Sequence, residues 1–139
     1  TMKFFIQTIL IFYITSALFA EQIDKRDFDI TKEIISEQIK AFKKNDATKA
    51  YSFADSFIKM KFKNPESFMG MIKDNYEPVS NAKDFYFIKS KFYDGSIFHQ
   101  LQIISQSNQS YIATYSLVFV DEEWKISGCA LSLMKQQSI

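Results

Sequence analysis

The hydrophobic pattern of this chain changes its period once, at residues 75–78. Before this segment, apolar residues recur at the three- and four-residue spacing of a helix, and after it they alternate with polar residues as in strands. Proline at position 78 and the polar residues before it end the helical part. A run of helices followed by a run of strands is typical of an α+β domain. The pattern therefore predicts helices packed on an antiparallel sheet.

The sequence predicts three helices, and each starts at a residue that can cap a helix N-terminus. Pro65 takes the first position of the third helix, where its missing N–H costs nothing. A break at residues 55–56 follows the second helix. One further helical turn to Met60 is expected after it, with a short strand as the alternative. The predicted helices, with their caps, are 29–44 (Asp29 or Thr31), 47–54 (Asp46) and 65–75 (Asn64).

Four strands are predicted in the second half, joined by short turns. Asp94-Gly95 is a signal for a two-residue hairpin. Gly128 in the last strand is expected to mark a bulge. In the third strand an apolar face consists of Tyr111, Ala113, Tyr115, Leu117 and Phe119. The strands are predicted over residues 84–93, 96–106, 110–120 and 123–133.

Three helices before a four-stranded meander favour a sheet that curls around the long helix. This arrangement leaves a cone with a cavity at its wide end. Residues 29–139 are predicted to form this single α+β domain, after a disordered or extended lead-in over residues 21–28. Aromatic residues are frequent, at 17% of the chain, which suits either a compact core or an aromatic-lined cavity.

Residues 1–20 have the layout of a secretory signal peptide. One lysine precedes an apolar run, and small residues lie before the expected cleavage after Ala20. We therefore expect an exported protein, periplasmic or secreted. The alternative is an uncleaved segment, residues 4–20, that anchors the protein in the inner membrane; its 17 residues lie at the lower limit for spanning a bilayer.

Charge and cysteine content limit the possible partners. Seventeen basic and sixteen acidic residues give a net charge of +1. This balance offers no basic face for nucleic acid, and it argues against a membrane contact other than through an uncleaved N-terminal segment. Cys129 is the only cysteine, so no intramolecular disulfide can form. We expect Cys129 to be a buried, inert thiol in an apolar strand.

A set of spaced residues resembles a known bacterial family, the domain of unknown function DUF4864. The matching residues are Asp46-Ala47, 50–54, Ile58, Phe62, Pro65-Glu66, Phe68, Met71-Ile72, Asn75-Tyr76, Pro78-Val79, 124–126 and Gly128-Cys129. The resemblance extends over residues 34–131, and it implies an NTF2-like or cystatin-like cone fold. It implies no activity. Glu122-Glu123 departs from the Asp-Gly turn expected before Trp124, which leaves the type of that turn open.

Candidate site residues are few. The chain has no Gly-rich phosphate loop, no metal-ligand spacing and no nucleophile elbow, so we predict no cofactor and no metal. His99, the single histidine, is expected to be a packed or rim residue unless an acid or nucleophile lies within reach. Asp55 and Asp84 could supply a carboxylate base, although capping or solvent exposure is their default role. The residues expected to line the cavity, with core packing as the alternative, are Tyr51, Phe53, Tyr76, His99, Tyr115 and Trp124.

Three functions remain compatible with these features. The first is a non-enzymatic exported domain whose cavity binds a small apolar or aromatic ligand or a protein partner. The second is an isomerase- or hydrolase-like enzyme that uses Asp55, Asp84 or His99 in the cavity. The third is an interaction module that forms a homodimer through its exposed sheet face. A cavity smaller than roughly 300 Å³ would contradict the first.

Overall fold

A computed structural model describes residues 22–135 of the protein. In that range five helices are followed by four strands, which form one antiparallel sheet of order β1-β2-β3-β4. The predicted α+β layout is therefore confirmed, with five helices in place of three. The predicted signal peptide, residues 1–20, lies outside the described residues. The elements are α1 Lys25–Lys43, α2 Ala47–Ser52, α3 Ser56–Lys61, α4 Pro65–Asn75, α5 Glu77–Ser80, β1 Asp84–Tyr93, β2 Ser96–Ile104, β3 Ser110–Val120 and β4 Glu123–Leu133.

Helix α1 begins four residues earlier than predicted, because Asp24 and Asp27 form a capping box. The Asp24 carboxylate accepts from the backbone N–H groups of Arg26 and Asp27, and the Asp27 carboxylate accepts from the backbone N–H of Asp24 at 3.1 Å. The prediction of an extended lead-in over residues 21–28 is thus wrong from Lys25 onward. The predicted caps, Asp29 and Thr31, lie inside the helix. These reciprocal bonds satisfy N–H groups that a helix start leaves without partners.

The second helix and the further helical turn predicted after it are α2 and α3, and strand β4 separates them. The backbone N–H of Ile126 donates to Phe53 O, and the N–H of Asp55 donates to Ile126 O, both at 2.8 Å. These bonds form a parallel bridge at Ala54 and stop α2 at Ser52. The Asp55 carboxylate then accepts from the Ile58 N–H and starts α3. The fifth helix is a single turn around Pro78.

The strands match the prediction closely. Strand β2 ends at Ile104 rather than at residue 106, because Ser105 turns the chain and its Oγ accepts from the Gln109 N–H at 3.1 Å. The β1–β2 and β3–β4 turns are both two-residue hairpins with positive φ at both central residues: Asp94 (50°) with Gly95 (79°), and Asp121 (51°) with Glu122 (64°). This is the geometry of a type I′ turn.

The core lies between α1 and the inner face of the sheet. Ile35 and Phe42 of α1 are buried, as are Leu101 of β2 and Tyr115 and Leu117 of β3. The predicted apolar face of β3 is confirmed at its centre, where Ala113, Tyr115 and Leu117 are buried. Only its ends, Tyr111 and Phe119, reach solvent.

Candidate functional site

A cavity of about 570 Å³ lies between α3, α4 and the middle of strands β3 and β4. Its walls are mainly apolar, and the apolar residues on the helical side include Phe42, Phe57, Ile58, Phe62, Phe68, Met71, Ile72 and Val79. Drug-sized ligands bind in cavities of roughly 300–1,000 Å³ with mainly apolar walls. The cavity therefore has the size and the chemistry of a small-molecule site.

Helix α3 forms one wall of the cavity, and it is fastened at both ends. Its start is held by the backbone bonds between β4 and the Phe53–Asp55 segment. Its end is held by Tyr51, whose hydroxyl donates to Phe62 O at 2.6 Å. None of the six residues of α3 is buried. The helix is thus positioned by hydrogen bonds at its ends and by the packing of the half-buried Ile58 against the core.

A bulge in β4 decides which side chains form the sheet side of the cavity. Ile126 pairs with Leu117, whereas the next paired residue, Gly128, pairs with Ser116, so Ser127 is the extra residue. This confirms the bulge predicted at Gly128. Because a bulge shifts the alternation of a strand by one residue, Cys129 follows Ile126 onto the inner face and pairs with Tyr115. Both Cys129 and Tyr115 line the cavity.

The Tyr115 hydroxyl and the Cys129 thiol interact on this wall. Burial raises the pKa of Tyr115 well above 10, and the adjacent Cys129 raises it further. Burial also raises the pKa of Cys129 to about 12, although the hydrogen bond with Tyr115 opposes this effect. Both groups are therefore neutral at physiological pH. The pair offers hydrogen bonds to a ligand but neither a thiolate nucleophile nor a phenolate base.

Lys61 is the only charged residue among the described residues that line the cavity. The other polar residues of the wall are Gln38, Asn75, Tyr76, Tyr115, Ser127 and Cys129. Gln38 Nε2 donates to Ala50 O at 3.1 Å, which fixes the orientation of its amide. No carboxylate and no imidazole belongs to the described part of this wall. The described part of the wall therefore lacks an ordinary acid–base pair.

Of the six residues predicted to line a cavity, Tyr76 and Tyr115 lie on this wall and the other four do not. Tyr51 packs on Phe68 with ring centroids 5.6 Å apart while its hydroxyl holds α3. Phe53 lies in the bridged segment next to β4. Trp124 lines a separate small cleft of about 150 Å³ beside Phe119, because its indole turns toward α1.

His99 is fully buried between α1 and β1, away from the cavity. Its Nε2 lies 2.6 Å from Thr31 Oγ1, and its Nδ1 lies 2.6 Å from Ser90 Oγ. Thr31 Oγ1 also lies 2.8 Å from Asp27 O and 3.1 Å from Phe28 O, which compete with His99 for its single proton. In the neutral imidazole one ring nitrogen donates and the other accepts, so the Thr31 and Ser90 hydroxyls take opposite roles toward His99.

The surroundings of His99 keep it uncharged. Burial lowers its pKa to about 4, and the nearby Lys32 ammonium contributes to the decrease. Phe28 and Phe87 present ring edges to the imidazole, with centroids 6.2 and 5.7 Å away. This is a packed core histidine, which is the interpretation that the sequence favoured.

The two candidate carboxylates also lie outside the cavity wall. Asp55 caps α3, with Oδ1 accepting from the Ile58 N–H at 3.0 Å. Asp84 accepts from the Tyr86 hydroxyl at 2.6 Å, and this hydrogen bond lowers its pKa. Neither carboxylate is positioned to act on a molecule in the cavity.

Sequence reasoning missed Lys61, Cys129 and most of the helical wall. The sequence analysis expected Cys129 to be an inert buried thiol. Its position opposite Tyr115 can be predicted only if the bulge at Gly128 is included when the inward residues of β4 are assigned. No local feature of the sequence indicates that Lys61 lines a cavity, because the alternating lysines around it also fit a solvated surface. The position of α3 depends on its bonds to β4, which are tertiary contacts.

The helices packed on an open antiparallel sheet, with a cavity between them, form an NTF2-like fold. The structure is similar to an NTF2-like protein of unknown function from Shewanella baltica OS155, with a TM-score of 0.54, 11% identity, and coverage of 84% of this chain and 100% of that one. It is also similar to an NTF-2-like protein of unknown function from Silicibacter pomeroyi DSS-3, with a TM-score of 0.57, 7% identity, and coverage of 81% and 100%. At these identities the likeness concerns the fold alone.

The particular family follows from the sequence. The model of the domain of unknown function DUF4864 matches residues 24–139, so the chain belongs to this family. The resemblance inferred from spaced residues is thereby confirmed. No curated protein of known function matches the sequence.

Two further observations concern the described residues only. None of the helices within residues 22–135 is long and apolar enough to cross a membrane. In the same range, no three His, Cys, Asp or Glu side chains lie together in an arrangement that could hold a metal ion.

Proposed function

We propose that the protein binds a small apolar or aromatic molecule in the cavity between α3, α4 and the sheet. The observation that carries the proposal is the cavity itself, about 570 Å³ with mainly apolar walls. A ligand there would bury its surface against Phe62, Phe68 and Met71, at about 25 cal/mol for each Å² removed from water.

The polar groups of the wall support a ligand with one polar end. Tyr76, Tyr115 and Asn75 offer hydrogen bonds, and Lys61 offers a positive charge. Such isolated polar groups in an apolar wall orient a ligand and select among ligands of similar size. The raised pKa values of Tyr115 and Cys129 favour binding over acid–base catalysis.

Titration with N-phenyl-1-naphthylamine, a neutral apolar fluorophore, tests the proposal. We expect saturable binding with enhanced fluorescence. We also expect thermal stabilisation, because a ligand at a hundredfold excess over its Kd adds about 2.7 kcal/mol to the free energy of unfolding. A Met71→Trp variant, which fills the cavity from α4, should abolish both effects.

Ile112→Trp is the matched control. Ile112 is half-buried in β3, where its neighbours in sequence, Tyr111 and Ala113, belong to the inner face. The added indole therefore lies on the opposite face of the sheet, and binding should be retained. Equal binding by the wild type and the Met71→Trp variant would contradict the proposed site.

A further inference from the structure

Helix α3 exposes apolar side chains that the rest of the domain does not cover. Phe57 is 77% exposed and Met60 is 71% exposed, which are the highest values for large apolar side chains among the residues described. They lie three positions apart in one helix, so they are neighbours on its surface. A pair of adjacent exposed apolar side chains is a feature of surfaces that contact a partner.

Positive charge surrounds this pair. Residues 56–65 contain Lys59, Lys61 and Lys63 and no acidic residue, between a buried Asp55 and an exposed Glu66. Lys59 Nζ lies 5.3 Å from the ring centroid of Tyr51, and Lys61 Nζ lies 5.7 Å from that of Phe62. None of the three belongs to an ion pair within the described part of the chain. A local basic cluster is thus present although the net charge of the whole chain is close to zero.

We propose that α3 and the residues after it dock the protein on an anionic lipid bilayer. The docking surface consists of Phe57, Lys59, Met60, Lys61 and Lys63. Its apolar side chains suit the boundary between headgroups and acyl chains, and its ammonium groups suit anionic headgroups. This surface differs from the N-terminal segment, through which alone the sequence analysis expected a membrane contact.

A bilayer fits this surface better than a second copy of the chain does. In a two-fold contact the same patch meets itself. The three lysines of one copy would then face those of the other, and like charges brought together repel. An anionic bilayer satisfies both the apolar and the basic side chains at once.

The docking surface borders the cavity, since Phe57 and Lys61 belong to both. Docking would therefore bring the open side of the cavity against the bilayer and give an apolar ligand a path that avoids water. This consequence rests on the proposed ligand binding. The docking itself does not depend on ligand binding, because Phe57, Met60 and the lysines are exposed whether or not the cavity holds a ligand.

A fluorophore at position 60 of the full-length protein tests the docking. Met60→Cys is labelled with an environment-sensitive dye, while the raised pKa and the burial of Cys129 keep that thiol slow to react. With vesicles of equal parts phosphatidylglycerol and phosphatidylcholine, we expect a blue shift and quenching by nitroxide-bearing lipids. A label at Ser132→Cys, an exposed position of β4 beyond the bulge, should show neither.

The lysines are tested in the same labelled protein. Each lysine near an anionic surface contributes about fivefold to binding, so the Lys59→Gln/Lys61→Gln/Lys63→Gln variant should lose roughly 100-fold in apparent affinity. Vesicles of phosphatidylcholine alone should give a weak signal. Because the signal is read at position 60, attachment through the N-terminal segment alone does not produce it.

Three results would overturn the proposal. The first is an unchanged spectrum at position 60 with the anionic vesicles. The second is equal quenching at positions 60 and 132. The third is a doubled molecular mass in light scattering without lipid that the Phe57→Ser/Met60→Ser variant reverses, which would assign the surface to self-association. Fluorophore binding by the wild type, measured without vesicles, reports separately on the proposed ligand site.

Discussion

The indole of Trp124 donates a hydrogen bond from Nε1 to Asp27 Oδ1 at 3.1 Å, across 97 residues of sequence. It ties the start of the last strand to the first turn of α1. The same Asp27 carboxylate closes the capping box through Asp24. One carboxylate therefore starts the first helix and attaches it to the sheet.

Removing the indole donor should weaken this attachment. We expect Trp124→Phe to lower the free energy of unfolding by about 1–3 kcal/mol, because a hydrogen bond to a charged group and part of a buried ring are lost. Urea denaturation measures the change. In a cycle with Asp27→Ala, the double variant should lose less than the sum of the single variants. Additive losses would show that the two side chains do not interact energetically.

His99 predicts a dependence of stability on pH. The unfolded chain takes up a proton on His99 below about pH 6.5, whereas burial delays this in the folded protein to about pH 4. The contribution of His99 to the free energy of unfolding is therefore complete above pH 6.5 and is lost as the pH falls toward 4, with a total on the order of 3 kcal/mol. Urea denaturation at several pH values should show this decline. In a His99→Gln variant, the part of the decline that is due to His99 should be absent. Parallel curves of unfolding free energy against pH for the two proteins would contradict the lowered pKa of His99.

The β3–β4 turn should accept glycine with a gain in stability. Glu122 has φ of 64°, in the left-handed region, where a side chain is unfavourable. We expect Glu122→Gly to raise the free energy of unfolding by about 0.5–1 kcal/mol. This is the net gain, because glycine also increases the entropy of the unfolded chain, which opposes folding. Thermal denaturation measures the gain.

The β1–β2 turn provides the reciprocal control. Gly95 occupies the equivalent turn position with φ of 79°, and an added Cβ there would meet no atom within 4 Å. A loss of about 1 kcal/mol in Gly95→Glu would therefore reflect the backbone alone. Changes of the same sign in the two variants would contradict the account of both turns.

Adjacent residues of β3 should lose very different amounts of stability when each is replaced by a negative charge. Tyr115 is 1% exposed and faces the core and cavity, so Tyr115→Asp buries an unpaired carboxylate and should cost about 4 kcal/mol or more. Thr114 points to the other face, and Thr114→Asp should cost less than about 1 kcal/mol. Circular dichroism during heating compares the two. Similar melting temperatures would mean that the faces of β3 are assigned wrongly.

Most of the sheet could be predicted from the sequence, because alternation and turn residues are local signals. The bounds of β1, β3 and β4, the Asp94-Gly95 hairpin and the cap at Asn64 all follow from residues near one another in the chain. The start of α1 could also have been found, since Asp24 and Asp27 have capping-box spacing. The polar residues around them favoured an extended lead-in instead.

The cavity wall could be predicted only in part. Tyr115 follows from the alternation of β3, and Tyr76 from its place at the end of a helix. The position of α3 depends on backbone bonds between Ile126 and residues 53–55, more than 70 positions away. No local pattern contains such a contact, and the helical side of the cavity was missed for this reason.

The single extra residue at Ser127 also affects how relatives of this protein should be compared. Because the bulge absorbs Ser127, a relative one residue shorter here would form a regular strand and still present its equivalent of Cys129 beside Tyr115. A relative of equal length with a regular strand would instead turn that residue to the outer face of the sheet. Alignments of such relatives should therefore place the gap at Ser127, so that the residues paired with Tyr115 are compared with one another.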